Sequence, residues 1–190
     1  QKGGLSPDIV QVSMAVSKLG RMRYGWQPAV KLLQSASERY GVAPNAYTYN
    51  AAISACEKGG QWERALALLG EMEAAGVARD TITYNAAISA GEKAGQLTQA
   101  TNLLAEMQTD GIEPGVFHYS AAITACEKAR DWRKAVQLLR EMQERGVEPN
   151  TITYSAAISA CEKGKQWETR RLRVKHSLRE VFEDQYSMSW

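Results

Sequence analysis

Residues suited to metal or redox chemistry are scarce in this chain. Its 190 residues hold two histidines and three cysteines. With only His118 and His176 available, most histidine-based metal and acid–base sites are excluded. An odd cysteine count without paired spacing argues against a secreted disulfide framework. No run of 18 or more apolar residues occurs, so no segment is suited to span a membrane. A phosphate loop, a metal-ligand cluster and a nucleophile with a neighbouring base are all missing. The chain therefore reads as a non-enzyme with neither metal nor cofactor. A surplus of one charge is missing too: 23 basic and 21 acidic residues leave +2 at pH 7. Apolar residues make up 44% of the chain, enough for a packed core, so wholesale disorder is excluded.

The small excess of positive charge sits at one end. Residues 169–190 hold five of the basic residues (Arg170, Arg171, Arg173, Lys175, Arg179) and three of the acidic ones (Glu180, Glu183, Asp184), which leaves 18 of each in 1–168. A neutral body cannot hold nucleic acid by bulk charge, so any such binding must rest on the geometry of particular side chains.

What the chain does have is a repeat. Tyr49, Tyr84, Tyr119 and Tyr154 are spaced by 35 residues, inside TYNAAISACEK, TYNAAISAGEK, HYSAAITACEK and TYSAAISACEK. Trp62, Trp132 and Trp167 keep the period, with Leu97 in the second copy. So do Ala65, Ala100 and Ala135, Met72, Met107 and Met142, and Gly76, Gly111 and Gly146. Arg79, Pro114 and Pro149 follow. Full copies are expected at 46–80, 81–115 and 116–150. A divergent copy at 9–45 aligns Ala15, Trp26, Ala29, Gly41 and Pro44, and 151–168 is the first half of another. Residues 1–8, with Pro7 and Asp8, match the end of a preceding copy, so the chain reads as a fragment of a longer array. The pattern is lost after Glu168. Beyond it Leu178, Val181 and Phe182 fall at helical spacing, which suits a helix covering the last repeat. A short basic RNA-contacting helix and unrelated sequence joined by a splice or frame change stay open for 169–190.

Each copy spells two helices. Tyr49, Ala52, Ile53 and Cys56 form one apolar stripe at helical spacing, and Ala65, Leu68, Leu69 and Met72 form a second. Gly59 and Gly60 separate the two, and Gly76 suits a helix C-cap. Sustained alternation is absent. A single hairpin cannot bury both stripes, so neighbouring copies must stack. The expected fold is all-α, a right-handed superhelical α-solenoid of helix-turn-helix repeats.

A helical hairpin of this period, with T-Y-N/S near its start and M-x-x-x-G-x-x-P-N/D near its end, resembles the pentatricopeptide repeat over roughly residues 7–168. The tetratricopeptide repeat is the competitor, but it carries W-x-x-L-G-x-x-Y in its first helix, whereas here tryptophan opens the second. The resemblance implies that each repeat reads one base of single-stranded RNA, through the polar residue after the tyrosine and the last residue of the repeat. It pairs Asn50 with Asp80, Asn85 with Gly115, Ser120 with Asn150, and Ser13 with Asn45. Ser155 is left without a dependable partner. By family rules Asn with Asp favours uracil and Ser with Asn favours adenine, while Asn85 with Gly115 is off-pattern and leans to pyrimidine. The implied address is A-U-(pyrimidine)-A.

Helical spacing places these readers on one stripe. Tyr47, Asn50, Ser54 and Lys58 share a face turned away from the apolar stripe, repeated as Ile82, Asn85, Ser89, Lys93, as Phe117, Ser120, Thr124, Lys128, and as Ile152, Ser155, Ser159, Lys163. The flat or branched residue three before each reader, with Val10 as its counterpart in the divergent copy, can wedge or stack beside a base. The lysine can meet a phosphate. Simpler roles compete. Capping alone explains Asn45, Asp80 and Asn150, which precede helices. A solvated Glu–Lys face explains the lysines as well as phosphate contact does. Asn50 and Asn85 have no structural need to recur in a first helical turn. Tyr49 and its equivalents, with His118 beside them, read as packing or surface residues. Cys56, Cys126 and Cys161, with Gly91 in the same slot, read as tight packing positions, and the tryptophans and methionines as core.

The leading expectation is thus non-catalytic, sequence-selective binding of single-stranded RNA by a monomer, weak and salt-sensitive. The resemblance places it in organellar RNA processing, editing or stability, in mitochondrion or chloroplast. The alternative is a protein-binding scaffold of the tetratricopeptide type, with protein partners on the concave face. A third option is that the array belongs to a larger enzyme whose catalytic part lies elsewhere.

Overall fold

The computed structural model describes residues 8–22 and 24–164. Pro7, Trp167 and the expected terminal helix within 169–190 lie outside the described residues. Among the described residues there are nine α-helices and no strand. They are α1 (Ile9–Gly20), α2 (Trp26–Tyr40), α3 (Ala46–Lys58), α4 (Trp62–Ala74), α5 (Thr81–Lys93), α6 (Leu97–Thr109), α7 (Val116–Ala129), α8 (Trp132–Glu144) and α9 (Thr151–Lys163).

The odd-numbered helices start on caps. Asp8, Asn45, Asp80 and Asn150 sit in extended backbone, and their side chains accept the amide N–H three residues on, from Gln11, Thr48, Thr83 and Thr153. Each such cap stabilises its helix by about 1 kcal/mol. Gly115 has no side chain to offer; its own N–H donates to His118 Nδ1 at 3.0 Å instead. The hairpin turn needs a left-handed residue, which is Gly60 in one copy and Gly95 in the next, at φ 68° and 69°. Arg130 occupies the same repeat position at φ 60°, a conformation that costs an L-residue with a Cβ about 1 kcal/mol.

The described residues divide into two compact units. The first runs to Ala94 and takes in Thr98–Glu113, and the second holds Gly95–Leu97 and everything from Pro114. In the first unit α3 lies between α1 and α5, with α2 and α4 packed behind. Its core is the expected one: Tyr49, Ala52, Ile53 and Cys56 from α3, Ala65, Leu68, Leu69 and Met72 from α4, and Ala100, Leu103, Leu104 and Met107 from α6. Burial of each Leu or Met contributes roughly 1.5–3 kcal/mol. Small residues set the spacing: a Cβ on Gly20 would stand 2.8 Å from the Ala55 Cβ, so α1 and α3 approach where only glycine fits. In the second unit α7 packs on α9, with α8 against both, around Tyr119, Ile123, Leu138, Leu139 and Met142.

The tryptophans are not core residues. Trp26, Trp62 and Trp132 are half-buried at the first residue of their helices. Their place at the helix start, beside the turn of the next copy, explains this. A Cβ on Gly59 would lie 2.5 Å from Trp26 Cδ1, and one on Gly164 would lie 2.8 Å from Trp132 Cδ1. The indole thus covers a glycine turn while its outer edge meets water.

Arg79 stands where other copies have proline and does something proline cannot. Its Nε and Nη2 donate to Asp110 Oδ2 and Oδ1, both at 2.8 Å, and its Nη1 lies 3.1 Å from Glu73. The guanidinium also sits 5.6 Å from the centre of the Tyr84 ring, whose hydroxyl donates to Asp110 Oδ2 at 2.7 Å. Arg79 and Tyr84 hold the Asp110 carboxyl below the usual carboxylate range.

Candidate nucleic-acid interface

One apolar residue per copy stands in water on the same face of the first helix. Val10, Tyr47, Ile82, Phe117 and Ile152 are all more than half exposed, whereas their neighbours Tyr84 and Tyr119, two residues after Ile82 and Phe117, are fully buried. Exposing these side chains does nothing for the fold, and they are the positions expected to flank bases.

Three of the four residue pairs expected to read bases are brought together. In the first unit, Asn50 Nδ2 donates to Asp80 Oδ1 and Oδ2 at 3.0 and 3.3 Å. Asn50 is 8% exposed, so it lies deeper than its stripe suggests. Burial alone would raise the Asp80 carboxyl, but donors from the Thr83 amide, the Thr83 hydroxyl and Asn50 outweigh it and hold Asp80 below its ordinary value. Ser13 and Asn45 meet through Thr48, whose Oγ1 is 2.7 Å from Ser13 Oγ and 2.8 Å from Asn45 Oδ1. In the second unit Ser120 and Asn150 meet in the same way through Thr153, at 2.8 and 2.9 Å.

Two readers differ. Asn85 Oδ1 is buried and accepts no hydrogen bond, and Ser155 is exposed. Gly115 contributes only backbone. His118 is 3% exposed, and its Nε2 is likewise without a partner. Burial lowers the His118 pKa and outweighs a smaller upward contribution from the Gly115 backbone.

The lysines behave unlike one another. Lys93 Nζ lies 2.7 Å from Glu57 Oε1, and Lys163 Nζ lies 2.6 Å from Glu127 Oε1. Each glutamate also accepts a hydroxyl, from Ser89 at 2.9 Å and from Ser159 at 2.8 Å. The Lys163 bond, with the Ser159 hydroxyl, lowers the Glu127 pKa. Lys58 is exposed and has no ion-pair partner among the described residues. Lys128 is exposed as well.

Sequence reasoning missed Thr48, Thr83 and Thr153. All three are fully buried, and each hydroxyl connects the two readers of the copy before it. The signal was present: a threonine recurs in the first turn of the helix, where it is a poor helix former, and gives way only at His118. Two of the three cysteines are placed as packing residues, while Cys161 is half-buried. Cys56 and Cys126 are buried, and burial pushes their thiols up to about 11 and about 12. Among the described residues no group of three metal-ligating side chains forms, and no helix is long and apolar enough to cross a membrane.

Three models of the pentatricopeptide repeat match the chain, at residues 44–90, 82–112 and 102–163, and together they span more than half of it. The chain belongs to the pentatricopeptide repeat family. A search of curated proteins gives no match by sequence. Among solved structures, this pentatricopeptide chain is similar to the pentatricopeptide repeat protein PPR10 in complex with an 18-nucleotide psaJ RNA element. The two are 26% identical over 92% of this chain, with a TM-score of 0.73. A second structure, of PPR10 from maize, matches at 28% identity over 97% of the chain, with a TM-score of 0.68. In both comparisons the chain spans 25% of the PPR10 chain. The pentatricopeptide domain of Arabidopsis thaliana protein-only RNase P 1, in complex with tRNA, shares the fold at 21% identity and a TM-score of 0.68. That match covers 93% of this chain and 96% of that one. The fold class is accordingly the all-α, helical-repeat solenoid.

Proposed function

We propose that this array binds single-stranded RNA without catalysis, one base per repeat, and as a monomer. The observation that carries the reading is the joining of Asn50 to Asp80, two side chains 30 residues apart that converge beside the exposed Tyr47 and Ile82. An amide and a carboxylate placed there can meet a base edge, while the flanking apolar side chains stack on its faces, each stack contributing roughly 1–3 kcal/mol. The RNA-bound state of PPR10 supports the reading. The base pairs Ser13 with Asn45, Asn50 with Asp80, Asn85 with Gly115 and Ser120 with Asn150 give A-U-(pyrimidine)-A. Lys58 and, more weakly, Lys93, Lys128 and Lys163 meet phosphate. The biological setting that fits is RNA processing, editing or stability in mitochondrion or chloroplast.

The test is binding of the chain to single strands carrying A-U-U-A and to scrambled controls at modest salt. Selective binding is expected, and equal affinity for every sequence refutes the reading. In the double substitution Asn50→Ser with Asp80→Asn, preference at one base should move from U to A, with the other positions unchanged.

A further inference from the structure

We propose that Thr48, Thr83 and Thr153 are positioning residues for base selection, each hydroxyl tying together the two readers of the preceding repeat and fixing which of their atoms face the base. The inference rests on the RNA reading above and adds that one repeat is not a complete reading unit: it needs the first helical turn of the next.

The Asn50 site shows the arrangement most fully. Asn50 carries a carbonyl oxygen on one side of its amide and an NH2 on the other. Thr83 Oγ1 lies 2.6 Å from Asn50 Oδ1 and 2.8 Å from Asp80 Oδ1, the two acceptors that share its single proton, and Asp80 accepts from Asn50 Nδ2 at 3.0 Å. The Asp80 amide N–H in turn donates to Thr83 Oγ1 at 3.1 Å, which aims the hydroxyl. An ionised carboxylate can only accept, so it demands the NH2, which turns the opposite oxygen of Asn50 towards the Thr83 hydroxyl. Turning the amide over would set Oδ1 against the Asp80 carboxylate. One Nδ2 proton is engaged by Asp80, and the other is left to present a donor in a fixed direction.

That direction matters because two pyrimidines differ there. Uracil offers a carbonyl oxygen where cytosine offers an amino group, so a fixed N–H donor accepts one and repels the other. An amide free to turn over could present its oxygen to cytosine. Asn85 gives the contrast within the same chain: its Oδ1 is buried with no donor, and position 118, in the register of Thr83, is histidine. The Ser120 site repeats the device with hydroxyls alone. Ser120 Oγ, Thr153 Oγ1 and Asn150 Oδ1 form a chain in which the direction of one proton sets the direction of the next.

The deciding experiment compares wild type, Thr83→Val and Thr83→Ser against RNAs differing only in U or C at the base assigned to Asn50. Valine keeps the shape and removes the hydroxyl. The U-over-C preference is expected to fall by about fivefold in Thr83→Val, the scale of one net hydrogen bond, and to return in Thr83→Ser. A uniform loss of affinity with the U:C ratio intact would show that Thr83 only caps its helix and would overturn the proposal. Absence of any U:C preference in the wild type overturns the RNA reading itself. A measurement without RNA separates the two. In 15N-labelled protein the two side-chain amide protons of Asn50 should resonate far apart, and Thr83→Val should bring them together. Unchanged resonances in that variant count against the positioning role, whatever the RNA does.

Discussion

Lys93 gives its ammonium to Glu57, 2.7 Å away on the first helix of the preceding copy, although its place in the repeat is one from which a lysine could reach phosphate. Glu127 holds Lys163 in the same way at 2.6 Å. Two rungs of the lysine stripe, Lys93 and Lys163, are thus matched by carboxylates. Replacing Glu57 with Gln should release Lys93. RNA affinity is expected to rise about threefold, the scale of one exposed ion pair. The slope of log affinity against log salt should steepen by about one. Filter binding across a salt series checks this, and an unchanged slope refutes it. Lys58→Ala, which removes a lysine already free of carboxylate, should make the slope shallower.

Arg79 should be worth more to the fold than a surface ion pair. Its side chain is 13% exposed and meets Asp110 through two bonds. Arg79→Ala is expected to destabilise the chain by about 2 kcal/mol, since Asp110 then keeps only the Tyr84 hydroxyl. Arg79→Lys should recover little of that, because an ammonium cannot form the paired bonds. Urea denaturation of the three proteins decides it.

Arg130 carries a strain that Gly60 and Gly95 avoid and that Tyr24, two residues before Trp26, shares at φ 62°. Glycine stands at the equivalent turn positions 60 and 95, and Arg130 adopts φ 60° with a Cβ attached. Arg130→Gly should stabilise the chain by about 1 kcal/mol. A lower unfolding midpoint in the variant would mean that the arginine side chain contributes more than the turn costs.

His118 makes stability depend on mild acid. Burial lowers its pKa in the folded state, so the unfolded chain takes up a proton first as pH falls. Its contribution is therefore full above the unfolded value near 6.5 and declines as pH drops from there towards the folded pKa. The carboxylates Asp80, Asp110 and Glu127, all held low, act in the same direction further down. Their contribution is present above about pH 4 and is lost as pH falls through their folded values. His118→Thr, which restores the threonine of the other copies, should remove most of the loss seen by urea denaturation between pH 7.5 and 5.5, while the steeper loss below pH 4 persists.

Much of the architecture was legible in the sequence because it rests on short-range periodicity. The apolar stripe of Tyr49, Ala52, Ile53 and Cys56 and the cap residues Asn45, Asp80 and Asn150 are local features, readable at helical spacing. Val10, Tyr47, Ile82, Phe117 and Ile152 recur once per copy, so the period alone marked them as equivalent positions on their own helices. The tryptophans were misjudged as core because periodicity tells that a position matters, not how deeply the next turn covers it.

What the tertiary structure decided lies between copies. Asn50 meets Asp80 and Thr83, and Lys93 meets Glu57, across 30 to 36 residues of chain. These distances depend on how far one helix slides along the next, which close contacts such as Gly20 on Ala55 determine. A period states which positions are equivalent. Only the stacking of helices states which equivalent positions touch, because a shift of one residue along a helix turns a side chain by about 100°.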